Sequence, residues 1–177
     1  AYQSLLKGRT ARDALELEMP ERRIDLAPDG AVTGIGVRQR LDSHKLIEEF
    51  MITANVASAE ALEKAGRPCM YRVHDQPSKE KLEALRSVLD SVGIRFARGG
   101  TPTPKRFNQI LKKAAATPHA PMVNVMVLRS QAQAEYAPEN VGHFGLALVR
   151  YCHFTSPIRR YADLLVHRAL IAGGRLG

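Results

Sequence analysis

His153-Phe154-Thr155-Ser156-Pro157-Ile158-Arg159-Arg160-Tyr161-Ala162-Asp163-Leu164-Leu165-Val166-His167-Arg168 is the stretch from which the rest of this chain is best read. Ser156 is a residue type favoured at helix N-caps, and Pro157 suits the first helical position, where a missing N–H costs nothing. The segment therefore predicts a helix that starts at the Ser-Pro pair, carries Arg159 and Arg160 in its first turn and ends near Ala172. Unpaired N–H groups at a helix start bear partial positive charge, so two guanidiniums beside them make a phosphate-binding device. An ordinary capped helix with solvated arginines has the same local pattern, and the context of the segment decides between them.

Working outward, the composition is that of a globular domain, with 45% hydrophobic and 25% charged residues in 177. The net charge of +8 and pI near 9.8 predict attraction to polyanions, without choosing between nucleic acid and an anionic membrane surface. No apolar run approaches the about 18 residues needed to cross a bilayer. Ala1-Tyr2-Gln3 has neither an initiator Met nor a signal-peptide pattern, so the chain is expected to be cut from something longer. Cys69 and Cys152 have no Cys-x-x-Cys or Cys/His ligand spacing, which fits buried apolar roles and a reducing cytoplasm.

Periodicity predicts an α+β fold, helix-rich after residue 42, with short strands and a hairpin. A short helix at residues 1–7 precedes alternating Leu15, Leu17 and Met19, which read as a strand. Pro28-Asp29-Gly30 is a turn between strands 22–26 and 31–40. Asp42 or Ser43 caps a long helix that Gly66-Arg67-Pro68 stops. Then come a strand at 69–74, a helix from Pro77-Ser78 to about Val92, a strand-like stretch at 94–97, helices at 105–116 and 121–133, a turn at 136–140, and a strand at 142–149. Lys105, Arg106, Lys112 and Lys113 are read as a solvated face rather than an RNA contact.

In the long helix, Glu48 and Glu49 point about 100° apart, so at most one faces a site. His44, Glu48, Ile52 and Asn55 share one side, whereas Glu49 sits four residues from Lys45 and is expected to pair with it at the surface. Glu48 is therefore the candidate, with two surface glutamates as the alternative. Asp163 and His167 are read as helix support rather than a catalytic dyad, because no nucleophile accompanies them. His74, His143 and His153 lack partners at metal-ligand spacing and are read as structural. Dinucleotide, P-loop and nucleophile-elbow motifs are absent.

The run His153–Tyr161, with Asp163-Leu164 and His167-Arg168 behind it, closely resembles the signature of the RNB family of exoribonucleases, the ribonuclease II and ribonuclease R group. Gly142-His143-Phe144-Gly145-Leu146-Ala147-Leu148 is similar to the segment leading into that signature in the bacterial ribonuclease R branch, and Asp42–Asn55 to a second RNB segment. The resemblance runs from about Met19 to Arg168, with Ala162 where the ribonuclease R branch often has proline. It implies that Arg159 is catalytic, contacting the scissile-end phosphate and supporting transition-state charge. It further implies RNA contacts for Glu48, at the ribose 2′-OH near the 3′ end, for Arg160 on the backbone, and more weakly for Thr155 and Ser156.

The family's chemistry implies Mg²⁺ held by an aspartate cluster. The seven aspartates here, Asp13, Asp25, Asp29, Asp42, Asp75, Asp90 and Asp163, form no such cluster in sequence. Residues 1–177 are accordingly expected to be the C-terminal part of an RNB catalytic domain, without the aspartate motif or the flanking RNA-binding domains. Mg²⁺ is then a cofactor of the full-length parent, with no metal ligands and no bound metal expected in this chain. The expected parent is a cytoplasmic, processive 3′-to-5′ exoribonuclease that releases nucleoside 5′-monophosphates, with RNA as partner, no membrane association, and a fragment inactive alone. The alternative is a non-catalytic RNA-binding or protein-interaction module on the same scaffold.

Overall fold

The computed structural model describes residues 2–97 and 99–174. Among these the order is α1 (Tyr2–Ala11), β1 (Arg22–Leu26), β2 (Val32–Val37), α2 (Asp42–Lys64), β3 (Tyr71–Val73), α3 (Lys79–Ser91), α4 (Pro104–Ala115), α5 (Ala120–Ser130), β4 (Glu135–Ala137) and α6 (Tyr161–Gly174). The fold is α+β and helix-rich, with two separate two-stranded antiparallel sheets, β1–β2 and β3–β4. Ala1, the expected start of the first helix, lies outside the described residues. No helix among the described residues is long and apolar enough to cross a membrane.

Two apolar centres organise the chain. Leu82, Leu85 and Leu89 of α3 pack with Phe107, Ile110 and Ala114 of α4 and Val123 and Val127 of α5. Ala59 and Leu62 of α2 pack with Tyr71 and Val73 of β3, the two cysteines and Val166 of α6. Both cysteines are buried and free. The second centre fixes α2 against α6, the two helices that flank the candidate site.

α2 starts differently from the expectation. Leu41 is the N-cap and donates its N–H to His44 Nδ1 at 3.2 Å, so the side chain that meets the helix start belongs to His44 rather than Asp42 or Ser43. Its end follows the glycine signal. Gly66 has φ +60°, and the N–H groups of Gly66 and Arg67 return to Glu63 O and Leu62 O at 3.0 and 2.9 Å, closing a left-handed helix cap.

Three expected strands are absent, each because other groups take up the backbone polar atoms. At 14–18 the backbone is bonded to side chains instead of a strand: Asn108 Oδ1 accepts from Glu16 N at 2.9 Å and Asn124 Oδ1 from Glu18 N at 3.0 Å. At 94–97 Ile94 and Phe96 enter the first core. The following carbonyls of Ala97 and Gly99 accept from the Arg106 guanidinium at 2.9 and 3.0 Å. Arg106 is thus a loop clamp, which corrects the solvated-face reading for it, whereas Lys105 stays exposed and makes a surface pair with Asp13 at 3.3 Å. Residues 143–148 form a tight turn, with His143 N donating to Leu148 O at 2.8 Å. Gly145 is required there, since a Cβ would lie 2.9 Å from His74 Nδ1. The helix expected to reach residue 133 ends at Ser130, and part of the expected 136–140 turn pairs instead as β4, with Tyr71 opposite Ala137.

The β1–β2 hairpin forms as expected, with Ile24 opposite Ile35 and Leu26 opposite Val32. Its aliphatic side chains, with Val37, do not enter a core: all five are between 59% and 68% exposed.

The two asparagines that replace a neighbouring strand yield a test. Asn124→Ala is expected to cost about 1–2 kcal/mol by urea denaturation and to speed hydrogen exchange at the Glu18 amide. Unchanged protection of that amide would contradict the assignment.

Candidate nucleic-acid interface

The loop that carries the two arginines is built around a buried carboxylate. Asp163, in the first turn of α6 and fully buried, takes a fork from Arg160, Nε to Oδ2 at 2.7 Å and Nη2 to Oδ1 at 2.8 Å. Its Oδ1 also accepts from Ser156 N at 2.7 Å. Burial opposes ionisation of Asp163, but hydrogen bonds from Arg160 and Ser156 outweigh it and hold the carboxyl below its ordinary range. The same fork holds the Arg160 guanidinium protonated above its ordinary range.

This arrangement corrects the expected helix start. Residues 157–159 form a turn in which Arg159 and Arg160 N–H both reach Ser156 O, at 3.3 and 3.2 Å, and α6 begins only at Tyr161. Ser156 is not the cap, and the arginines precede the helix instead of lying in its first turn. The reason is Asp163: its carboxylate occupies the Ser156 N–H and pulls the chain into a turn across the helix end. His167 makes no dyad with Asp163. Its Nε2 lies 2.8 Å from Phe154 O, and its ring stacks on Phe154 at 4.2 Å.

A cavity of about 230 Å³ opens beside this turn, lined by Glu48, Met51, Ile52 and Asn55 of α2, by Leu146, Tyr151 and His153, and by Thr155, Ser156, Arg159 and Arg160. All five residues selected from the sequence therefore meet at one place. Arg159 is exposed, and among the described residues its side chain has no ion-pair partner. Arg160 is committed to Asp163. Glu48 is half-buried and pairs with Arg40 and, at 3.6 Å, with Arg9.

Glu49 does not pair with Lys45 at the surface. It is buried, with Arg9 Nη1 at 2.8 Å and Arg12 Nη2 at 3.8 Å, and so docks α1 onto α2; Lys45 pairs with Asp42. His44 lines a separate groove with Arg38, Arg40 and Lys45.

Asn55 is the residue that joins the two walls of the cavity. Its Nδ2 donates to Tyr151 Oη at 2.9 Å, its Oδ1 accepts from Phe154 N at 2.9 Å, and its carbonyl accepts from Cys152 Sγ at 3.2 Å. The helical spacing from Glu48 marked its side; its bonding role has no sequence signature.

Three histidines, His74, His143 and His153, are held below the ordinary imidazole range, which favours their neutral form. Gly145 N donates to His74 Nδ1 at 3.0 Å and Leu146 N to His143 Nδ1 at 3.2 Å, so both rings accept at Nδ1 and carry their proton at Nε2. Burial first, then the neighbouring His74 ring, pushes His143 down to about 3, and burial followed by the Arg160 guanidinium pushes His153 down to about 4. Tyr151 lies edge-on between these two rings, at 5.3 and 5.6 Å.

Chemically the cavity offers a free guanidinium and two hydroxyls to a phosphate, and a carboxylate to a hydroxyl. Among the described residues no three His, Cys, Asp or Glu side chains come together as a metal-ligand set.

With its two helices clamped around an arginine-bearing turn, the chain belongs to the RNB domain family, whose model matches residues 1–173. It is 46% identical over 169 residues to ribonuclease R of Escherichia coli (strain K12), covering 96% of this chain and 21% of that protein. Against ribonuclease R of Aquifex aeolicus (strain VF5) the identity is 43%, covering 96% and 24%. Mycoplasma genitalium RNase R in complex with ribose methylated single-stranded RNA has the same fold at a TM-score of 0.87 and 28% identity, covering 96% of this chain and 27% of that one. Yeast Ssd1, a pseudonuclease, is similar at a TM-score of 0.64 and 26% identity over 78% of this chain and 18% of its own. The chain thus spans about a fifth to a quarter of the ribonuclease R proteins it matches.

The neutral histidines set an acid limit. Unfolded imidazoles take up protons near pH 6.5, whereas His153 and His143 in the fold resist until about 4 and about 3. The unfolded state therefore binds more protons in that interval, and stability falls as pH drops from about 6.5 toward 4. Asp163 adds to the loss below the ordinary carboxylate range, because a carboxyl held ionised by Arg160 and Ser156 stabilises the fold only until it is protonated. Urea denaturation at pH 7, 5.5 and 4.5 checks this, and a flat profile would contradict it. At pH 7, Asp163→Asn is expected to cost on the order of 3–5 kcal/mol, since it leaves the Arg160 charge without its partner.

Proposed function

We propose that this chain is the C-terminal part of the catalytic RNB domain of a cytoplasmic, ribonuclease R-like 3′-to-5′ exoribonuclease, which hydrolyses RNA processively to nucleoside 5′-monophosphates. The observation that carries the reading is the convergence of Glu48, Thr155, Ser156, Arg159 and Arg160 on one cavity. Arg159, exposed and without an ion-pair partner among the described residues, is the group that meets the reacting phosphate. Its planar fork supports the charge that develops there. Ser156 and Thr155 hydroxyls hold further phosphate oxygens. Arg160 contributes positive potential to the same wall while its fork stays on Asp163. Glu48 accepts from the ribose 2′-OH, which distinguishes RNA from DNA, in exchange for its pairing with Arg40.

Mg²⁺ is the proposed cofactor of the longer protein. The described residues do not fit a metal, since the carboxylate nearest the arginines, Asp163, is already saturated. No step is assigned to the ion here, and the chain alone is proposed to be inactive. The similarity to Ssd1 favours a second reading, an RNA-binding scaffold without chemistry, which an activity assay of the longer protein separates from the first.

In that longer protein, Arg159→Ala is expected to lower single-turnover cleavage by about 100-fold or more with RNA affinity changed far less, and Arg159→Lys to restore only part. An unchanged cleavage rate would refute the assignment. Glu48→Gln is expected to reduce discrimination against a single 3′-terminal 2′-deoxy substitution. Equal sensitivity to that substitution in Glu48→Gln and the parent would count against the ribose contact. The chain alone is expected to release no mononucleotides from single-stranded RNA with Mg²⁺.

A further inference from the structure

The reading above uses five residues of the cavity, but a sixth faces it with an unused donor. His153 lines the cavity beside Thr155, Ser156 and Arg159. Its Nδ1 lies 2.8 Å from the Tyr136 hydroxyl, and its ring is held edge-on between Tyr136 and Tyr151 at 5.6 Å from each. Tyr136 is in turn covered by Arg72, whose guanidinium lies 4.7 Å above its ring. The imidazole is therefore held in orientation by two tyrosines, one of them itself braced by Arg72. Among the described residues Nε2 has no partner, yet it is not sealed in the core.

A phenol is the stronger donor and an imidazole nitrogen the stronger acceptor, so Tyr136 donates to Nδ1 and the ring proton is left on Nε2. His74 and His143 adopt the same tautomer for the same reason, an N–H donated to Nδ1. We propose that His153 is a further ligand-contacting residue of this site, whose Nε2–H, aimed into the cavity by the Tyr136 bond, donates to a phosphate oxygen of the bound nucleotide. This rests on the cavity being the RNA-end site proposed above. The charged groups around the ring are Arg160, Arg159, Arg72 and Asp163. With burial, the arginines keep it uncharged, so it serves as a directed dipole among cations and adds no further charge to a wall that already holds two arginines. It is a donor whose position, unlike that of a lysine, is fixed before the ligand arrives.

The test uses the chain itself and adenosine 5′-monophosphate as probe. A Gln side chain places an amide N–H where Nε2 stands, whereas Asn reaches only the Nδ1 position and its Tyr136 partner. Binding to His153→Gln is expected to stay within about threefold of the parent, and His153→Asn to weaken it about tenfold or more, the usual effect of losing a hydrogen bond to a charged group. Independently of any variant, nitrogen NMR of the parent is expected to show the Nε2–H tautomer and a shift of that nitrogen on nucleotide addition. If Arg159→Ala weakens binding while His153→Asn does not, or if Gln and Asn weaken it equally, or if Nε2 does not respond, the role of His153 is overturned and the site reading stands. If the nucleotide does not bind, or binds with no dependence on Arg159, the site reading fails and this proposal with it.

Discussion

The buried carboxylate of Asp163 is the constraint on which the site depends. One oxygen ties the Ser156 backbone and an Arg160 nitrogen, and the other completes the fork. An isolated ion in that position would be prohibitively costly, and only a complete set of partners makes it tolerable. Because those partners sit three and seven residues before it, satisfying the charge bends residues 156–160 into a fixed turn. That bend turns the two adjacent arginines into different things: Arg160 becomes part of the framework, and Arg159 is left free at the cavity mouth.

A second layer of constraint spans the cavity. Asn55 joins the long helix to the strand-like run before the turn through three hydrogen bonds, and Arg9 with Glu49 fastens the first helix behind it. The separation between Glu48 and Arg159 is therefore set by contacts within the protein itself. Glu48 itself rests in ion pairs with Arg40 and Arg9, so any incoming ligand group must compete for a carboxylate that is already occupied. Preorganisation of this kind favours a ligand that replaces the whole set of interactions over one that offers a single group.

Much of this was legible in the sequence, and the failures share a cause. Helices with a clear apolar period and a glycine or proline stop, such as 42–64 and 79–91, follow from local rules. So does the hairpin around Asp29-Gly30. The strands expected at 15–19, 94–97 and 142–149 failed because alternation reports an extended chain, not its partner: asparagine amides, an arginine and a histidine took the bonds a neighbouring strand would have supplied. Choosing Glu48 over Glu49 for the cavity agreed with the helix geometry, but the fate of Glu49 was set by Arg9 and Arg12, 40 and 37 positions away. The Ser-Pro pair looked like a cap because local pattern carries no information about a carboxylate seven residues on. His153 stood inside the motif read first and was taken as structural, since its orientation depends on Tyr136, which only the fold brings near.

The hairpin of residues 22–37 has a consequence for handling the molecule. Five aliphatic side chains on one face of a two-stranded ribbon stand in water, and such a ribbon is a template for pairing with a copy of itself. What opposes this is the net charge of +8, a long-range repulsion that works only while it is unscreened. Colloidal stability of this chain is accordingly tied to ionic strength, with added salt removing the barrier between molecules while leaving the interior of each untouched.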